Sequence, residues 1–133
     1  MRRAADRERG AAVVDFVLVL VVLVPLFLGI LQVSLVLLVR NTLTAAASEG
    51  ARYAATAGRG PADGEALTRD QITGAVSGRF ARDVRARQVT VDGQPGIEVT
   101  VRAEVPALGL GGPGIGLAVT GHAVEERPLE DVP

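Results

Sequence analysis

From Phe16 to Val39 the chain carries no charged residue, and only Gln32 and Ser34 are polar. As a helix rising about 1.5 Å per residue this run covers roughly 36 Å, enough to cross a hydrocarbon core of about 30 Å. A segment of that kind limits the fold before anything else does. It must span or lie in a membrane, and the rest of the chain must fold on one side of it. Ahead of it stand Arg2, Arg3, Arg7 and Arg9, then Gly10, then Ala11-Ala12-Val13-Val14-Asp15-Phe16. A small residue closes a basic leader, four apolar residues follow, and an acid sits fifth.

The four arginines of the first ten residues are opposed only by Asp6 and Glu8. The positive-inside rule counts the basic residues, so the amino terminus is expected in the cytoplasm and the carboxy-terminal part outside. A cleaved secretory signal fits less well. Its apolar core runs about 7–15 residues and ends at a small-x-small site, whereas Val36-Leu37-Leu38-Val39-Arg40 offers none. Ala45-Ala46-Ala47 comes later and could serve formally, but a retained anchor is the better reading. The expected division is a basic cytoplasmic leader over 1–10, a transmembrane helix over 11–39, a helix extension over 40–58 and a small extracytoplasmic domain over 59–133.

Composition narrows the function classes. With 133 residues, one membrane segment and one small domain fit, but not two globular domains. The net charge of −1 argues against nucleic acid, which is bound through clustered positive charge. Without cysteine there is no disulfide framework, thiol nucleophile or thiolate metal site. His122 is the single histidine, so a metal centre lacks ligands. Ser34, Ser48 and Ser77 show no nucleophile context. No enzyme chemistry and no cofactor are expected.

Asp15 admits two readings. A carboxylate well inside a bilayer costs roughly 2.5–3.5 kcal/mol on insertion scales, so it must be paired or lie near an interface. At the headgroup level, in the first turn of a helix, it would complement the positive end of the helix dipole. The whole string from Arg9 to Phe16 adds a second reading, because it resembles the processing site of type IV pilin-like proteins. There a membrane peptidase cuts after a glycine, and the acid at the fifth mature position pairs with a neighbouring subunit's new amino terminus. The adjacent Asp15-Phe16 looks like the acid-aromatic pair of the Flp pilin group. Beyond the apolar run, Glu49-Gly50-Ala51-Arg52-Tyr53-Ala54-Ala55 is similar to the segment that follows the membrane helix in TadE/TadG-like proteins, the minor pilins or pseudopilins of tight-adherence systems.

The resemblance spans about residues 9–58. It implies processing at Gly10-Ala11 by a prepilin-type peptidase and subunit pairing through Asp15 and Phe16. It also implies a place in the bacterial cytoplasmic membrane, and as partners other pilin-like subunits, a tight-adherence platform and membrane lipid. Asp15 departs from the family's usual Glu, so a carboxylate-amine pair needs a closer approach. A different class also fits: a single-pass envelope protein whose outer domain binds a partner or a cell-wall component, with Asp15 merely interfacial.

Pro25 removes one backbone bond mid-span and is expected to bend the helix, with Gly29 a turn later. A flexible stalk and an ordinary kinked membrane helix both fit that pair. After Arg40, the residues Leu43, Ala47, Gly50, Ala51, Ala54, Ala55 and Gly58 recur at helical spacing, a stripe against which a helix or sheet can pack closely. Glu49 and Arg52 can pair on the other side, and Gly58-Arg59-Gly60-Pro61 ends the helix.

A second helix is expected with Asp63 as cap and Ile72, Ala75, Val76 and Phe80 inward. Arg79, Arg82, Arg85 and Arg87 read as its solvated end in preference to a site for anionic lipid or polymer, since only Phe80 supplies an interleaved aromatic. Strands are expected at 88–92, at 97–105, where Ile97, Val99, Val101, Ala103 and Val105 alternate with polar residues, and at 117–124. The fold class is α+β: a long helix, a small helix and a three-stranded antiparallel sheet, pilin-like in shape. Residues 125–133 form an acidic tail expected to fray. Gly109-Leu110-Gly111-Gly112-Pro113-Gly114 matches G-x-G-x-x-G literally, but Pro113 and the nineteen residues left after Gly114 do not allow a βαβ nucleotide site. The segment reads as an inter-strand loop.

Overall fold

The computed structural model describes residues 2–108 and 112–126, with side chains from Arg7 onward. Helix α1 runs Arg2–Ala54 and helix α2 Pro61–Ala75; a short 3-10 turn over Gly78–Ala81 leads into β1 (Asp83–Val91), β2 (Gln94–Val105) and β3 (Ile115–Val124). The strands form one antiparallel sheet in the order β1-β2-β3. This is the α+β arrangement of a long apolar helix, a small helix and a three-stranded sheet. The tail from 127 on and Gly109, Leu110 and Gly111 lie outside the described residues.

α1 is long because nothing in it forces an end. Its 53 residues span roughly 80 Å, and the helix continues through Pro25. It stops at Ala54, before the expected 58; Ala55–Arg59 turn the chain, with Gly58 at φ 81. Pro61 does not close this helix but opens the next. It occupies the first position of α2, where its missing N–H and fixed φ suit a helix start. Asp63 is correspondingly not the cap residue. It lies in the first turn, and its carboxylate accepts the Gly60 backbone N–H at 2.9 Å.

The small-residue stripe is what lets the domain close. Leu43, Ala46, Ala47, Ala51, Ala54 and Ala55 are buried, whereas Gly58 is exposed. α2 crosses α1 where two glycines face each other: a Cβ on Gly64 would stand 2.7 Å from the Gly50 carbonyl oxygen, and one on Gly50 2.8 Å from that of Gly64. Thr68, fully buried at this crossing, donates its hydroxyl to the Gly64 carbonyl (2.7 Å) and lies 3.3 Å from that of Ala46. On the next side of α1, β3 comes equally close, since a Cβ on Gly121 would meet the Ala47 carbonyl oxygen at 2.6 Å. Glu49 and Arg52 are exposed and, among the described residues, not paired with each other.

The inner face of the sheet is the dry side of β2. Ile97, Val99, Val101 and Val105 are fully buried, with Val84 and Val119 from the flanking strands. Two expectations fail here. β1 begins at Asp83 rather than Gln88, so Arg85 and Arg87 are outward strand residues and not a helix end. Ala75 is exposed and Phe80 is buried from the 3-10 turn, because α2 stops at Ala75 and Val76 caps it. The β1–β2 turn takes only Asp92 (φ 49) and Gly93 (φ 80), both left-handed, as a two-residue hairpin with the strands' twist requires.

Candidate functional site: the bare half of the long helix

The domain grips only the second half of α1. Every described side chain from Arg7 to Phe27 is exposed, Leu28 is the first half-buried one, and Val39 is the first that is fully buried. Val13, Val14, Phe16, Leu18, Val21, Val22 and Phe27 all stand 58–67% exposed. From Ala11 to Phe27 the helix is therefore apolar on every side, with Asp15 the single charge. Exposed apolar area of that size on all faces is stable only in lipid or against other helices. By length and composition this helix can cross a membrane.

The residues singled out in the sequence fall on that bare half. Gly10 and Ala11 lie inside α1 with helix on both sides, and both are exposed. Asp15 follows Ala11 by one turn, so the two share a face. Among the described residues, Asp15 has no hydrogen-bond or ion-pair partner. Phe16 projects next to it at 64% exposure. Pro25 and Gly29 lie one turn apart and line a small cleft of about 240 Å³ with Leu28, Gln32, Ala107 and Leu108.

Gln32 is a feature that the sequence reading left unassigned. Its side-chain amide donates to the Pro106 carbonyl (3.2 Å), and its carbonyl accepts the Leu108 backbone N–H (2.7 Å). One glutamine thus ties the start of the β2–β3 loop to the helix. Ser34, by contrast, donates to the Ile30 carbonyl within α1. A glutamine inside an apolar run is a signal for such a clasp, but it does not name the partner.

On the outer face of the sheet, Glu98 lies between two cross-strand neighbours. Arg87 bonds one carboxylate oxygen (2.7 Å) and His122 Nε2 lies 2.9 Å from the other. The bond from Arg87 is the main cause that holds the Glu98 carboxyl below its ordinary value of 4.5; partial burial opposes it and His122 adds to it. No group of three or more potential metal ligands occurs among the described residues. The G-x-G-x-x-G stretch joins two neighbouring antiparallel strands, and its described part runs into β3. Among its described residues no helix begins to hold a pyrophosphate.

The family model described as TadE-like protein matches residues 10–52. Over that stretch the chain is TadE-like. No curated protein and no solved structure matches it. The match begins at Gly10 and ends two residues before the end of α1, so the likeness resides in the helix that carries Asp15 and the small-residue stripe. A TadE-like segment on a helix able to cross a membrane points to a membrane-anchored component of tight-adherence pilus machinery.

Proposed function

We propose that this chain is a TadE-like minor pilin or pseudopilin, held in the bacterial cytoplasmic membrane by the first half of α1 with its amino terminus in the cytoplasm. A prepilin-type peptidase cuts between Gly10 and Ala11, and Asp15 then pairs with the freed amino group of a neighbouring pilin-like subunit. The observation that carries this reading is a carboxylate without a partner among the described residues, on the half of α1 where every side chain from Arg7 to Phe27 is exposed. A carboxylate in an apolar setting is costly unless it is paired or protonated, and a neighbour's amino group would pair it. Two features support the processing step. The basic leader ends at Gly10, and glycine weakens a helix by about 1 kcal/mol relative to alanine, which eases the local unwinding that a peptidase needs. Pro25 supports a bend in the span, as a stalk packed into an assembly would use.

Crosslinking in membranes that retain the tight-adherence partners tests the pairing. Asp15→Ala is expected to insert normally and fold its domain but to lose crosslinks to pilin-like subunits, while Asp15→Glu keeps them. An interfacial acid would contribute only about 0.3–1 kcal/mol to the helix end and leave partners unaffected. Equal crosslinking in Asp15→Ala and the unchanged chain would reject the pairing.

A further inference from the structure

The domain does not sit above the apolar run but overlaps it. On the face of α1 turned away from the domain, Val33, Leu37 and Leu38 are 50–60% exposed, Ser34 spends its hydroxyl on the Ile30 carbonyl, and charged side chains begin only at Arg40. On that face the membrane-compatible surface ends near Val39. On the other face the β2–β3 loop is clasped to Gln32, seven residues earlier, which is roughly 10 Å deeper along the helix.

Two rulers agree on this alignment. Gly121, opposite Val99 in the sheet, packs on Ala47. From the Gln32–Pro106 contact, Ala47 lies about 23 Å along α1 and Val99 about 23 Å along β2. The strands and the helix therefore run nearly in line, and heights can be read from one to the other. Arg102 falls about 13 Å above Pro106, and Arg40 about 12 Å above Gln32. Arg79 and Arg82 line the same shallow depression as Arg102, so these three arginines stand near the level of Arg40. Asp83 and Glu104 are the acids among them; Asp83 pairs with Arg85, and Glu104 accepts the Gly114 N–H.

Below that level Glu104, whose carboxylate accepts the Gly114 N–H, is the one charged side chain on β2, and the rest of this end of the domain is apolar. No charged residue occurs from Val105 to Gly121, and Leu108 and Ile115 are 37% and 42% exposed. The cleft between this loop and the Pro25–Gln32 turn is lined almost entirely by apolar groups. We propose that this end of the domain is sunk into the membrane leaflet on its own side. Ala107, Leu108 and Ile115 lie among the acyl chains, lipid fills the cleft at Pro25 and Gly29, and Arg40, Arg79, Arg82 and Arg102 lie at the phosphates. The inference rests on membrane anchoring by α1. It makes the domain a second membrane contact that fixes the tilt and rotation of the helix, rather than a body swinging on a stalk.

The chain contains no cysteine, so single-cysteine variants of the full chain can each carry one nitroxide. The variants are placed in lipid nanodiscs of phosphatidylethanolamine and phosphatidylglycerol, at one copy per disc. Collisions with oxygen and with a water-soluble nickel chelate are compared. Leu20→Cys reports whether α1 is in the bilayer at all; chelate access there would reject the anchor itself. With the anchor in place, Leu108→Cys and Ile115→Cys are expected to favour oxygen several-fold over the chelate. Arg82→Cys should fall at the phosphate level, and Asp92→Cys, at the far end of the sheet, should be open to water. Chelate access at Leu108 and Ile115 equal to that at Asp92 would overturn the proposal. So would protection that appears only in discs holding several copies, since the cover would then be another subunit.

Discussion

Gly121 and Gly74 are chemically the same residue, yet their surroundings give a side chain opposite consequences. A Cβ on Gly121 would press on the backbone of α1 at Ala47, which cannot yield as a flexible side chain does. Gly121→Val is expected to destabilise the domain by about 3 kcal/mol through overpacking. Gly74 sits inside α2 with nothing within 4 Å of a Cβ, so Gly74→Ala should stabilise by about 0.5–1 kcal/mol. Chemical unfolding of the detergent-solubilised chain and both variants checks the contrast. Glu98 carries a pH dependence. Its carboxyl is held below the ordinary value of 4.5 in the folded state, mainly by Arg87. The stability it contributes is therefore fully present above about pH 4.5 and is lost as the pH falls through the lower, folded value. Glu98→Gln should flatten the stability profile below that pH; denaturant titrations across the acid range read this out. A profile as steep in the variant as in the unchanged chain would place the acid sensitivity elsewhere.

Among the elements, β1 is the one least visible in the sequence. Its inward residues Val84 and Ala86 are small, and its outward residues Arg85 and Arg87 match a basic helix end just as well. What makes this segment a strand is the partner register with β2, from Asp83↔Arg102 to Val91↔Gln94. Its outer edge is finished by α2 and not by another strand. Glu65 accepts the Ala86 N–H at 2.9 Å, and Arg69 donates to the Val84 carbonyl at 2.9 Å while bonded to Glu65 at 2.9 Å. Two side chains thus stand in for a strand and block pairing from outside. Glu65→Ala is expected to lower stability by about 1 kcal/mol, since one edge N–H loses its acceptor. It should also speed amide exchange at Ala86 while Val99 and Val101 stay protected. Unchanged exchange at Ala86 would show that this cap does not hold the edge.

For the whole molecule, orientation is the first matter to test. The arginines of the leader set against the apolar run predict that protease added to intact spheroplasts digests the domain. Terminal sequencing by mass spectrometry of the same native protein is expected to show a chain beginning at Ala11. Protection of the domain until lysis would reverse the orientation, and a native chain beginning at Met1 would remove the processing step. A helix bare over its first half and packed over its second is the form that such a subunit needs: one half for lipid or neighbouring helices, the other to carry the domain rigidly.

The local rules that shape α1 and β2 act within a few residues, so they are legible in the sequence. An uncharged run beyond twenty residues makes a helix able to span a membrane, and strict alternation from Ile97 to Val105 makes a half-buried strand. The stripe at Ala47, Gly50 and Ala51 likewise shows that something packs closely there. The sequence does not say what packs there, because the pairings Gly50–Gly64, Ala47–Gly121 and Gln32–Pro106 join residues 14 to 74 positions apart in the chain. Contacts at such separations come from the way the elements stack, which no local pattern encodes. The start of β1, the capped edge and the depth at which the loop meets the helix all belong to that class. So does the role of Gln32, which reads as an isolated polar residue in an apolar run until the fold brings Pro106 and Leu108 against it.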